Sequence, residues 1–99
     1  MEIIIQSIHF DADTKLVEHV ESKVRNLEKF FDNIIDAYVY MKFDNESSVV
    51  KDKIVEIKLN LPNAQLFSKE VSKTFEESAD MAVESMRRQL EKLKGKVRS

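Results

Sequence analysis

The fold of this chain is decided by residues 74–99, TFEESADMAVESMRRQLEKLKGKVRS. Apolar side chains recur in this stretch in steps of three and four, the spacing of one face of an α-helix, at Phe75, Ala79, Ala82, Met86, Leu90, Leu93 and Val97. Thr74 is the expected N-cap, and Glu77, three positions later, would complete a capping box. The stretch therefore predicts one long amphipathic helix whose apolar face must be covered by the rest of the chain.

Charge is distributed unevenly along this predicted helix. Acidic residues dominate its first turns, whereas basic residues crowd its end, at Arg87, Arg88, Lys92, Lys94, Lys96 and Arg98. Residues 85–99 hold these six Lys/Arg against one acid, a net charge of +5, while the remaining residues hold ten Lys/Arg and seventeen Asp/Glu, a net charge of −7. The helix dipole explains part of this order. The excess of positive charge at one helix end indicates a polyanionic partner.

The composition is that of one small domain, residues 1–99, with regular secondary structure. Hydrophobic residues make up 42% of the 99 residues, and there is a single Gly and a single Pro. The lack of cysteine excludes disulfides, thiolate nucleophiles and cysteine-based zinc sites, and it fits a reducing cytoplasm. The first residues, MEIIIQ, have no basic segment and too short an apolar run for a signal peptide or a membrane span. We therefore expect a cytoplasmic protein without a membrane partner.

The apolar periodicity of the whole chain predicts the element order β-α-β-β-β-α. Alternating β-branched and apolar residues predict strands at 2–10, 36–44, 53–61 and 65–72. Helices are predicted at 14–31, with Asp13 as the N-cap, and at 74–99. Turns or loops are expected between these elements, at 11–13, 32–33, 45–50 and 62–64.

This order constrains the topology. The first helix is a crossover, so the first two strands should be parallel with a right-handed connection, and the later strands should form a meander. One sheet face should carry both helices and the other should face solvent. Following the strand directions, both helices run the same way. The predicted fold is an α+β domain with a four-stranded sheet and two parallel helices on one face.

A helical wheel at about 100° per residue places one row of side chains without any acid on each helix. On the first helix the row is Lys15, His19, Ser22, Lys23, Asn26 and Lys29, and on the last helix it is Ser78, Met81, Ser85, Arg88, Gln89, Lys92 and Lys96. In parallel helices one row should line the groove between them and the other the outer edge, about one helix diameter (~10 Å) away. Two such rows could follow two phosphate backbones, although a single row of this kind is also typical of a solvated helix face.

No constellation of residues in the sequence suits catalysis. The two histidines, His9 and His19, have no metal-ligand spacing, and the serines have no nucleophile-elbow context. A single glycine leaves no phosphate-cradling loop. We therefore expect no enzyme activity, no metal, no cofactor and no small-molecule substrate. Tyr38 and Tyr40 on one strand face are typical of base-stacking sheets or, more simply, of cross-strand packing.

Three stretches of the chain resemble the ribosome hibernation-promoting factors, a bacterial family that includes ribosome-associated inhibitors and sigma-54 modulation proteins. Residues 23–32, KVRNLEKFFD, and 37–42, AYVYMK, are similar to the family's first helix and second strand, and residues 79–96, ADMAVESMRRQLEKLKGK, are similar to its last helix. The most specific part is the run from Arg88 to Lys96. Asn26 and Ser85 depart from the pattern, because relatives often have lysine there.

The resemblance implies a fold akin to double-stranded-RNA-binding domains and binding to the small ribosomal subunit between head and body, where messenger and transfer RNA anchor. Helix lysines and arginines would contact ribosomal RNA, and translation would be inhibited in stationary phase or stress. The positions that match the family's basic residues are Lys23, Arg88, Lys92, Lys94 and Lys96. The wheel and the local charge add Lys15, Arg25, Lys29 and Arg87. The chain resembles a short form without the C-terminal dimerisation domain, which we expect to be monomeric off the ribosome.

Two other functions remain open from the sequence. The chain could be a general double-stranded-RNA-binding module, which would bind a plain duplex as tightly as ribosomal subunits. It could also be a protein-interaction domain that uses the exposed sheet face, in which case loss of Lys or Arg would leave its binding unchanged.

Overall fold

A computed structural model of the protein describes residues 1–44 and 52–98, with side chains described up to residue 95. The elements follow the predicted order, as β1 (Glu2–Ser7), α1 (Thr14–Arg25) with a 3₁₀ turn at Asn26–Lys29, β2 (Asp36–Phe43), β3 (Lys53–Leu61), β4 (Ala64–Ser72) and α2 (Phe75–Arg98). The loop predicted at 45–50 lies outside the described residues.

The strands form one sheet in the order β1-β2-β3-β4. β1 pairs with β2 in parallel, with Ile5 opposite Val39. β2, β3 and β4 form an antiparallel meander, in which Val39 lies opposite Ile57 and Ile57 opposite Ser68. The predicted parallel first pair and the following meander are therefore confirmed.

The core lies between the helices and one face of the sheet, because alternate strand residues point to the same face. α1 and the 3₁₀ turn contribute the fully buried residues Val20, Val24 and Leu27. α2 contributes Ala79, Ala82, Met86 and Leu90. The strands contribute Ala37, Val39, Met41, Val55, Ile57 and Leu59. Burying each large aliphatic side chain contributes about 1.5–3 kcal/mol. The opposite face is open, and Phe67 on it is 54% exposed. The predicted layering of both helices on one face is confirmed.

The two helices run in the same direction, as predicted. His19, early in α1, lies 2.9 Å from Asp80, early in α2. Farther along both elements, Phe30 lies beneath Arg87, whose guanidinium carbon is 5.8 Å from the ring centroid. Contacts that advance together along both helices establish their parallel arrangement.

The ends of the first strand and the first helix differ from the prediction. β1 ends at Ser7 instead of residue 10, because His9 has a positive φ of 65°, which breaks the extended backbone. Phe10 then turns inward and stacks on Phe75, with ring centroids 4.9 Å apart. The α-helix ends at Arg25, and the chain tightens into a 3₁₀ turn before Phe30, a common ending for a helix.

Both predicted N-caps are present, but the capping box on α2 is only half formed. The Asp13 carboxylate accepts a hydrogen bond from the Leu16 amide at 2.8 Å. The Thr74 hydroxyl accepts one from the Glu77 amide at 3.1 Å. The Thr74 amide does not bond to Glu77, because it donates to the Ser72 hydroxyl at 3.3 Å. Ser72, at the buried end of β4, therefore accepts the hydrogen bond that Glu77 would accept in a complete capping box.

Candidate nucleic-acid interface

Three side-chain hydrogen bonds fix how α2 is rotated on the sheet. The Ser78 hydroxyl donates to the Lys53 carbonyl at 2.5 Å, and the Ser68 hydroxyl donates to the Ala82 carbonyl at 3.0 Å. Farther along, the Gln89 amide donates to the Phe67 carbonyl at 2.9 Å. These bonds hold one flank of α2 against β3 and β4. The side chains that follow, at the basic end of the helix, are thereby kept in a defined direction.

The same bonds locate the two predicted rows. Ser78 and Gln89 belong to the row of α2. The Ser78 hydroxyl donates to the Ser72 hydroxyl of β4 at 3.1 Å and Gln89 bonds Phe67 of β4, so this row lies on the outer, β4 side of the helix. His19 and Lys23 belong to the row of α1 and face the groove, at 2.9 Å and 3.9 Å from Asp80 of α2. One row lines the groove and the other the outer edge, as predicted.

An acid of α2 lies beside the α1 row in the groove between the helices. Asp80 lies within ion-pair distance of both His19 and Lys23. The Lys23 ammonium and the His19 ring therefore already share one carboxylate before any ligand arrives. The position of Asp80 beside the α1 row could not be read from the sequence, because it depends on how the two helices pack.

Arg87 is occupied by two carboxylates of its own helix. Its guanidinium bonds Glu84 at 2.5 and 3.0 Å, bonds Glu91 on the next turn, and covers the Phe30 ring. Its hydrogen bond lowers the pKa of the Glu84 carboxyl below its ordinary value, and the Glu84 carboxylate raises the pKa of Arg87. The guanidinium of Arg87 is therefore already occupied by residues of the same protein.

Arg25 is also paired within its own segment. It lies 3.4 Å from Glu21 and 3.5 Å from Glu28. Exposed pairs of this kind contribute little to stability, but they reduce the local positive charge that a phosphate would meet.

The remaining predicted site residues whose side chains are described carry unneutralised charge. Each is exposed and has no carboxylate within 4.0 Å among the described residues, and we refer to the set as the unpaired cations, Lys15, Lys29, Arg88, Lys92 and Lys94. Lys96 lies in the last turns of α2, beyond the described side chains. The unpaired cations of α2 lie toward its C-terminal end, as the charge asymmetry predicts.

The surroundings of Arg88 and Lys92 differ. Arg88 shares a surface hollow with Glu70, Asp80 and Glu84, and its charge helps to lower the pKa of Glu84. Lys92 instead borders a hollow lined by Leu66, Gln89 and Leu93. Lys92 is therefore the cation more available to an anion. Glu70 was missed in the sequence because β4 contributes it from the neighbouring edge of the sheet.

Within residues 1–44 and 52–98, no group of His, Asp and Glu side chains is arranged to hold a metal ion. In the same part of the chain, no helix has the length and apolar character needed to cross a bilayer.

A sheet that carries two parallel helices with exposed cations defines a small α+β domain suited to an anionic partner. Its relationship to known proteins is specific: the family model described as sigma 54 modulation protein / S30EA ribosomal protein matches residues 3–98. The chain belongs to this family, and the resemblance found in the sequence is confirmed.

A curated relative agrees with this assignment, and two solved structures share the fold. The chain is 30% identical over 99 residues to the ribosome hibernation promotion factor of Bacillus subtilis (strain 168), covering 98% of this chain and 50% of that protein. It thus spans about half the length of this relative. A ribosomal subunit interface protein from Coxiella burnetii superposes with a TM-score of 0.83 at 22% identity, over 96% of this chain and 99% of that one. The Protein Y N-terminal domain from Thermus thermophilus gives 0.77 at 20% identity, over 94% and 99%. The predicted fold is confirmed by both structures.

Proposed function

We propose that this protein binds the small ribosomal subunit through basic helix residues that contact ribosomal RNA, and thereby inhibits translation in stationary phase or stress. The bound protein would block the sites of messenger and transfer RNA. The name of the Bacillus subtilis relative, a hibernation promotion factor, and the subunit-interface description of the Coxiella burnetii structure support a ribosomal partner. The protein would act in the cytoplasm, through this ribosome-binding domain and without catalysis.

The observation that carries this proposal is the placement of the unpaired cations. They are exposed on the two helices in a chain whose formal net charge is −2. Stability alone does not require them, because the core and the caps involve other residues. Cations that are exposed and unneutralised can bind phosphates and release the counterions of RNA, which drives association.

The mechanism we propose is occupancy of a site. Phosphate contacts supply affinity and position the protein, and the rigid fold fills a space shaped for other RNAs. Because the core holds both helices against one sheet face, the cations are presented without a folding step on binding. We propose as RNA contacts Lys15, Lys23, Arg25, Lys29, Arg87, Arg88, Lys92, Lys94 and Lys96. Because Lys23, Arg25 and Arg87 are already paired with carboxylates, we expect the unpaired cations to contribute most to RNA binding.

The test is co-sedimentation with small ribosomal subunits at low and moderate salt. Wild type is expected to bind in a salt-sensitive manner, and Arg88→Glu/Lys92→Glu is expected to lose binding. Lys69→Glu/Lys73→Glu is the matched control, because it makes the same change of charge at two exposed lysines outside the helices. The control variant should bind like wild type.

Failure of wild type to sediment with ribosomes at either salt would refute the proposal. Equal loss of binding in the two double variants would show that net charge matters and that the helix residues have no special role. Urea denaturation of each variant establishes that it is folded.

A further inference from the structure

A shallow apolar pocket lies where β3 turns into β4, beside the C-terminal half of α2. We refer to it as the end pocket, and it is lined by Phe31, Asn33, Leu61, Pro62, Asn63, Ala64 and Leu93. Its volume is about 210 Å³, below the roughly 300–1,000 Å³ of pockets for drug-sized molecules. The end pocket therefore suits a single planar ring system.

Two asparagine amides at the end pocket have no task in the fold. Asn33 and Asn63 are exposed, and neither side chain makes a hydrogen bond with a described residue. Asparagine is frequent in turns because it tolerates a left-handed backbone or bonds the turn with its side chain. Neither reason applies here, since His9 is the only described residue with a positive φ. Each amide can thus offer a donor and an acceptor to a ligand.

Charge surrounds the end pocket without lining it. Leu93 separates the pocket from the neighbouring hollow that Lys92 borders. Lys94, one residue beyond Leu93, is exposed. Asp32, next to Asn33 in the chain, is also exposed. A ligand with a neutral ring and one attached anion would therefore place its ring in the pocket and its anion toward α2.

We propose that the end pocket binds one unpaired nucleobase of the RNA partner. Phe31, Pro62 and Leu93 would contact the ring, Asn33 and Asn63 would hydrogen-bond its polar edge, and Lys92 would pair with the adjoining phosphate. Unpaired RNA bases are recognised in this manner, by contact with the ring and by hydrogen bonds to the edge. A base inside a duplex cannot enter, because its faces are stacked and its Watson–Crick edge is occupied. The inference rests on the proposed function, since it requires RNA at the helices.

The first test removes the two amides without changing the charge. Asn33→Ala/Asn63→Ala is expected to weaken binding to small ribosomal subunits roughly tenfold, within the discrimination given by one well-placed base contact. The dependence of affinity on salt should stay that of wild type, because no cation is lost. Gln6→Ala is the control, since it removes an exposed amide on β1. It should bind like wild type.

A second variant fills the end pocket and keeps both amides. Ala64 is half-buried in the lining, so Ala64→Leu would occupy the space of the ring. We expect a loss of affinity similar to that of the double alanine variant. Urea denaturation distinguishes this loss from unfolding.

The direct test follows the side-chain amide signals of Asn33 and Asn63 by nuclear magnetic resonance. A short unpaired RNA oligonucleotide should shift these signals, and a blunt duplex of the same sequence should not. Signals that do not move with the unpaired RNA, or an Asn33→Ala/Asn63→Ala protein with wild-type affinity, would each overturn the inference. If Arg88→Glu/Lys92→Glu still lost binding in that case, the proposed function would stand. Wild type that failed to bind ribosomes would overturn both.

Discussion

Arg87 and Arg88 are neighbours in the sequence with different surroundings. Arg87 is bonded to Glu84 and Glu91, whereas Arg88 is exposed and has no carboxylate within 4.0 Å among the described residues. The guanidinium of Arg87 has most of its donors bonded to these two carboxylates, so its loss removes little direct contact with a phosphate. The spacing of Arg87 from its partners, three and four residues, is the one that places helix side chains together.

We expect Arg88→Gln to weaken binding to small ribosomal subunits several-fold and to reduce the salt slope by about one. Arg87→Gln makes the same change of charge and should have little effect. Lys92→Gln should weaken binding at least as much as Arg88→Gln, because no acid lines the hollow beside it. Titrations of labelled subunits at several salt concentrations measure all three. A larger effect of Arg87→Gln than of Arg88→Gln would contradict this ranking.

The pair between Glu84 and Arg87 predicts a specific pH dependence. The folded-state pKa of Glu84 is lowered by the hydrogen bond from Arg87, so the pair stabilises the fold above the ordinary glutamate pKa of about 4.3. That contribution is lost as the pH falls through the lowered folded-state pKa. Carbon NMR titration of the Glu84 carboxyl should show a low pKa in wild type and an ordinary one in Arg87→Gln.

The stability of the two proteins gives the matching measurement. The advantage of wild type over Arg87→Gln in urea denaturation should be constant near neutral pH and should shrink in acid. A difference that stays the same from pH 7 to pH 3 would show that Glu84 is not the partner responsible.

The groove between α1 and α2 carries an acid where the proposed function favours a cation. Asp80 neutralises part of the charge of Lys23 and also contacts the His19 ring. We expect Asp80→Asn to tighten binding to small ribosomal subunits a few-fold, because it removes an anion from a surface that faces phosphates. Glu76→Gln, at an exposed acid in the first turn of α2, is the matched control. Weaker binding of Asp80→Asn would show that the ion pairs are needed to position α1.

The elements themselves were largely predictable from the sequence, because their signals are local. β3 was predicted with its observed ends, Lys53 and Leu61, since both its alternation and its flanking turn lie within a few residues. The end of β1 was predicted wrongly. The backbone of His9 has a positive φ, and the next residue, Phe10, packs on Phe75, which is distant in the sequence. The periodicity of apolar residues within one segment does not reveal contacts between segments that are distant in the sequence.

The candidate site was also predictable only where its signals are local in the sequence. The wheel placed the cations on the helices and predicted that one row would line the groove and the other the outer edge. It could not show that Glu70 of β4 lies beside Arg88, or that Asn33 and Asn63 meet at one pocket. Those juxtapositions are set by the sheet and its turn, and residues far apart in sequence contribute to each.

The shape of the protein and the distribution of its charge act together. The protein is elongated, 45 × 25 × 17 Å, because the 24 residues of α2 extend for about 36 Å. The positive charge lies toward one end of this long axis, and the remainder of the chain is acidic. An acidic remainder repels RNA that approaches from most directions. We infer that it restricts the protein to a site that surrounds the helices.

This arrangement predicts a difference between two RNA partners. Binding to small ribosomal subunits should fall steeply with salt, with a logarithmic slope of about −4 to −5 for some six phosphate contacts. A plain RNA duplex at the same salt should bind at least ten times more weakly, because it meets only part of the cations. Filter binding of the duplex beside co-sedimentation of the subunits measures both. Equal affinities would favour a general double-stranded-RNA-binding module.

The pairing of the strands also has a consequence for how the chain folds. β3 and β4 are joined by the turn at Pro62 and Asn63, whereas residues 8–35 separate β1 from β2, its partner. Closing a longer loop costs more entropy, so the hairpin should form first and β1 should join later. In refolding experiments, amide protons of β3 and β4 should become protected from exchange before those of β1. During synthesis, the strand that leaves the ribosome first would thus wait, unpaired, for β2 and would complete the sheet only when the rest of the chain is largely in place.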